Sequence, residues 1–143
     1  MPQSDVYLGN PNLKKANTEI QFTEENVKEF LKCKDDPVYF ARQYIKIVNV
    51  DEGLVPFTMW PFQEKLIKNF HKNRFNICMM PRQTGKSTTS VSYLLHYAIF
   101  NDNINIGILA NKAATARDLL GRLQTAYENL PKWMQQGIVA WNK

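Results

Sequence analysis

Eight residues, Met80-Pro81-Arg82-Gln83-Thr84-Gly85-Lys86-Ser87, stand between a short apolar run and an amphipathic stretch, and they constrain the chain more than any other feature. A loop that opens a helix can meet a polyanion with backbone N–H groups that have no acceptor inside the helix. Gly85 lets the backbone come close in a conformation that a side chain obstructs. Lys86 can set its ammonium against the β- and γ-phosphates of a nucleoside triphosphate, and the Ser87 hydroxyl suits magnesium in size and hardness. The segment therefore reads as a phosphate-gripping loop. The plainer alternative is a surface turn with a solvated lysine.

The loop departs from the pattern G-x-x-x-x-G-K-S/T, because Met80 occupies the first glycine position. Its surroundings compensate. Phe75-Asn76-Ile77-Cys78-Met79-Met80 reads as a short buried strand. After the loop, Val91, Leu94, Leu95, Ala98 and Ile99 recur at the spacing of one helical face. Farther on, Asn101-Asp102-Asn103 signals a turn and Ile104–Ala110 offers a second strand. A helix follows with Ala116, Leu119, Leu120, Leu123, Tyr127 and Leu130 on its inward face, and Pro131 ends it. Ile138–Trp141 reads as the start of another strand. This βαβα order predicts an α/β fold, a P-loop NTPase-type parallel sheet flanked by helices, incomplete in this chain, with phosphate at the carboxyl end of the first strand.

Ahead of that core, residues 1–22 are polar with little periodicity and read as an arm. Residues 23–57 form a helical lead-in and a small hairpin. Thr23 caps a helix beginning Glu24-Glu25, with Val27, Phe30 and Leu31 inward, and Asp36-Pro37 opens a second helix through Tyr39, Phe40 and Tyr44. Ile45–Val50 and Leu54–Phe57, joined by Asp51-Glu52-Gly53, give the hairpin, with Pro56 keeping its strand at an edge. Residues 58–143 make the core segment. It begins with a helix after Trp60-Pro61, striped by Phe62, Leu66, Ile67 and Phe70. Gln63 lies off that stripe. Its amide offers a donor and an acceptor together, which suits the edge of adenine.

The 143 residues, 44% of them hydrophobic, suffice for one modest core. Cys33 and Cys78 lie far apart with no metal-ligand spacing, which suggests reduced thiols. No run approaches about eighteen apolar residues and no secretory signal precedes Asp5, so a soluble, intracellular protein is expected. The net charge of +5 points weakly toward a polyanionic neighbour, since basic residues are scattered along the chain.

Three stretches extend the reading: Tyr7–Asn17, Cys33–Ala41 and Ala140–Lys143. Together with Arg82-Gln83-Thr84-Gly85-Lys86-Ser87, they resemble the large terminase subunit of T-even-like tailed phages, the motor that packages DNA into proheads. The resemblance covers nearly the whole chain, and in that family the first glycine of the Walker A loop is also replaced. It implies ATP and Mg2+ as cofactors, with Lys86 on the triphosphate, Ser87 on the metal and Gln63 reading adenine. Arg82 becomes a loop arginine acting with Lys86 on charge developing at the γ-phosphate. The implied cofactor contacts are Gln63, Arg82, Gln83, Thr84, Gly85, Lys86, Ser87 and Thr88, with Arg82 and Lys86 catalytic.

The resemblance also implies double-stranded DNA, a portal and a small terminase subunit as partners, in the cytoplasm of an infected bacterial host. The family's acidic Walker B strand, coupling motif and nuclease domain lie beyond the point matching Lys143, so the chain is expected to be truncated before Walker B and to hydrolyse little alone. A non-catalytic interaction module built on a nucleotide fold, or a helicase-type ATPase fragment, would share the loop.

Overall fold

Thr23 and Asp36 begin the first two helices, as short polar side chains before acidic or proline-led turns should. A computed structural model describes residues 5–142. In it, Thr23 Oγ1 accepts from the Asn26 N–H at 3.2 Å and opens α1, Glu24–Asp35. Asp36 accepts from the N–H groups of Val38 and Tyr39 at 2.9 and 3.0 Å and opens α2, Pro37–Tyr44. The hairpin follows as β1, Lys46–Asn49, and β2, Gly53–Pro56, antiparallel with Ile47 opposite Val55 and Val48 opposite Leu54. Three longer helices complete the fold: α3, Pro61–Lys72; α4, Lys86–Phe100; and α5, Ala113–Glu128.

The core is helical and centred on α2. Phe40 is fully buried and meets Phe100 edge-on at 5.6 Å, while Cys33, Ile67, Leu95 and Ile99 close around it. Because α2 packs on α1, α3 and α4, the lead-in and the loop-bearing segment share one core. The α1 face differs from the expected one: Phe30 and Cys33 turn inward, whereas Val27 and Leu31 are exposed. In α5 the buried residues are Ala126 and Tyr127, and Leu120 is exposed, so only the C-terminal half of the expected stripe is core.

The parallel sheet is not there. Among the described residues the one ladder is the antiparallel β1–β2 pair, and neither Phe75–Met80 nor Ile104–Ala110 forms a strand. A strand is stable only when a neighbour takes up its main-chain hydrogen bonds and covers its apolar face. Phe75, Ile77 and Met79 instead stand 83%, 95% and 93% exposed, and a cleft of about 300 Å³ lies among Asn76, Cys78 and Ile108 where pairing would have closed. The apolar runs that read as strands are present, but the ladder is missing, so the P-loop-type α/β class gives way to a helix-rich fold. Ile138–Trp141 likewise contributes no strand, only a parallel bridge from Ile138 to Lys15.

Of the arm at 1–22, residues 1–4 lie outside the described residues, as does Lys143. The remainder contains a 3-10 turn, Tyr7–Gly9, and buries Leu13 in the core. Gln135 holds it there. Its Oε1 accepts from the Lys14 N–H at 3.0 Å, and its Nε2 donates to the carbonyls of Asn12 at 2.8 Å and Leu130 at 3.1 Å.

Candidate functional site

The turn into α4 keeps its loop-like form without a sheet beneath it. Gln83 and Gly85 both take left-handed backbone, φ +62° and +73°, which reverses the chain within three residues. Thr84 Oγ1 donates to the Pro81 carbonyl at 3.1 Å, and the buried Thr89 Oγ1 donates to the Gly85 carbonyl at 2.9 Å. The first main-chain bond of the helix runs from the Thr89 N–H to Gly85 O at 2.9 Å. The amides of Lys86, Ser87 and Thr88 therefore have no helical acceptor, and they carry the positive end of a helix dipole.

Lys86 folds back over this turn. Its Nζ donates to the carbonyls of Met80 at 3.2 Å and Pro81 at 3.1 Å, which sets a cation beside the open amides. Ser87 Oγ makes no hydrogen bond among the described residues, and the Ser87 side chain is half-buried on the first turn. Arg82 and Gln83 are exposed at the loop tip, and Thr88 lies one turn below them toward the β1–α5 cleft. The ion pairs among the described residues are Arg42 with Glu64 and Arg122 with Asp118, so the charges of Arg82 and Lys86 are not neutralised by a carboxylate.

Gln63 is buried at 5% exposure, on the α3 face with Leu66 and Ile67, not off it. Its Oε1 accepts from the Trp60 N–H at 2.9 Å, closing the first turn of its own helix. Its Nε2 donates to the Thr84 carbonyl at 3.1 Å and ties that helix to the loop. One N–H and one lone pair of the amide are left over for any ligand. Sequence reasoning missed Thr89 altogether. A threonine four residues into a helix that begins at glycine, able to bond back to the i−4 carbonyl, is the signal that would have found it.

The residues fit a triphosphate with magnesium in a limited way. Open amides and one ammonium are donors for phosphate oxygens, and one unengaged hydroxyl oxygen is a ligand for a hard cation that keeps most of its water. Among the described residues, no group of three His, Cys, Asp or Glu side chains is placed to hold a metal without the nucleotide. No family model matches the chain. No helix among the described residues is long and apolar enough to cross a membrane.

Proposed function

We propose that this chain binds ATP with Mg2+ at the Met80–Thr88 turn, as the nucleotide-binding part of a DNA-packaging ATPase of the large-terminase kind. The observation that carries the reading is the Lys86 ammonium folded onto the loop carbonyls beside three open amides of α4. An arriving phosphate offers Lys86 a stronger, charged acceptor than two carbonyls, so its ammonium swings from the loop to the β- and γ-oxygens. The Lys86, Ser87 and Thr88 amides would donate to the same oxygens, and Ser87 Oγ would be the side-chain ligand for the magnesium. Arg82, unpaired at the tip, reaches the outer phosphate. Gln63 acts mainly by holding Thr84, and so Gly85, in register. Double-stranded DNA, a portal and a small terminase subunit as partners, and the host cytoplasm as location, follow from the sequence resemblance alone.

Calorimetric titration of Mg·ATP into the chain and into Lys86→Ala tests this. The expected result is a saturable heat for the native chain and at least tenfold weaker binding for the variant, since a charge-assisted contact is worth about 1.5–3 kcal/mol. Equal, negligible heats from both would overturn it.

A further inference from the structure

Between Lys65 and Asn101 the sequence holds six lysines and arginines and no aspartate or glutamate. Four of these cations, Lys65, Lys68, Lys72 and Arg74, lie on α3 or just after it. Lys65, Lys68 and Lys72 fall at i, i+3 and i+7 on the exposed face of α3, a row of about 10 Å. The row runs toward Arg74, whose guanidinium lies over the Phe75 ring at 5.2 Å. None of the four has a carboxylate partner among the described residues.

At the end of that row is a cleft of about 610 Å³ lined by Phe70, His71, Lys72, Arg74, Tyr93 and Tyr97. Part of its wall is aromatic. Tyr93 lies 5.6 Å from Phe70 and 6.2 Å from Tyr97, and Tyr97 is 40% exposed. Aromatic faces beside unpaired cations suit a ligand that is flat and anionic at once.

We infer that the α3–α4 cleft binds single-stranded nucleic acid, stacking a base on Tyr97 and Tyr93 while the Lys65–Lys68–Lys72–Arg74 row follows the phosphates. A single nucleotide would need one or two of these cations, whereas the row continues a turn and a half beyond the cleft. A duplex presents its backbone and groove edges, so its bases cannot reach a recessed aromatic wall. This cleft adjoins the one beside Lys86 and Ser87, sharing Phe70, Asn76, Ser90 and Leu94 with it, but Lys72, Arg74, Tyr93 and Tyr97 line only the α3–α4 cleft, and the inference does not require ATP at the Lys86 turn.

Fluorescence anisotropy of a labelled mixed-sequence strand of about 15 nucleotides, with the full chain, tests it. Tyr97→Ala should weaken binding about tenfold and Tyr97→Phe should restore it. Lys72→Ala with Arg74→Ala should reduce the slope of log affinity against log salt by about 1.4. These side chains are exposed, and unchanged circular dichroism would show that each variant folds. The inference is overturned if the native chain does not bind the strand at about 50 mM salt. Duplex binding that is equally tight and indifferent to Tyr97→Ala would also overturn it, as would displacement by mononucleotide at equal base concentration.

Discussion

A methyl group on Gly85 would stand 2.5 Å from Nε2 of Gln63, the atom that donates to the Thr84 carbonyl next door. The missing side chain at Gly85 thus leaves the room that the Gln63 amide takes. Gly85 also sits at φ +73°, where a side chain costs about 1–2 kcal/mol on its own. Gly85→Ala should therefore lower stability by about 2–3 kcal/mol, because Gln63 must also give up one of its two bonds. In the Gln63→Ala, Gly85→Ala double variant the clash disappears, so the combined loss should fall short of the sum by about 1 kcal/mol. Urea unfolding of the four species measures it, and simple additivity would break the link.

Phosphate alone should report on the same turn. If open amides and Lys86 make the anion site, inorganic pyrophosphate should compete with Mg·ATP, and Arg82→Ala should weaken ATP by a few-fold while leaving the melting temperature unchanged, since Arg82 is exposed and unpaired. Competition calorimetry checks both. Loss of stability in Arg82→Ala would assign that residue to the fold instead.

His96 makes stability fall on the acid side. It is buried, and its Nε2 lies 2.8 Å from the Cys33 carbonyl, an acceptor, so Nε2 carries the proton and Nδ1 is bare and unpartnered. Burial, opposed by the Cys33 carbonyl, holds the imidazolium form below the ordinary histidine range. The unfolded chain then takes up the proton first. The contribution is full above the ordinary value of 6.5, is lost as pH drops below it, and levels off under the depressed folded value. Melting temperatures from pH 7.5 to 5 should decline more steeply for the native chain than for His96→Gln, which keeps a donor for Cys33 but does not titrate.

The two cysteines should differ sharply toward a thiol reagent. Cys78 is exposed on the unpaired segment. Cys33 is fully buried, and burial together with the nearby Glu29 carboxylate pushes its thiol up to about 12. Because the thiolate is the reactive form, one equivalent of thiol should react quickly in the native protein and the second only after unfolding. Mass mapping of the modified peptide identifies which. Early labelling of Cys33 would mean that α1 opens readily.

Local signals were legible in the chain and distant ones were not. Thr23, Asp36-Pro37 and the Asp51-Glu52-Gly53 turn act within a few residues of themselves, and each starts or reverses the chain where the structure has it. The amphipathic face of α4 is also where Val91, Leu95 and Ile99 predict it. Phe75–Met80 misled because a short apolar run specifies only the readiness to pair, while a sheet needs a second segment alongside. The placement of Gln63 off the α3 stripe failed for a related reason. A glutamine reads as surface until a carbonyl 21 residues away and the chain's own amide satisfy it, and neither is visible from composition. For the loop, residue order is in the sequence, and its shape, with Lys86 turned inward and Thr89 bracing Gly85, belongs to the fold.

Gln135 joins positions 121 residues apart when it bonds to Lys14. Bringing such distant points together is entropically unfavourable until most of the intervening chain is already ordered. The clasp should thus be a late event on the way to the native state and an early one on the way out. A protease given brief access would be expected to sever the segment around Leu13 well before it reaches the helices around Phe40.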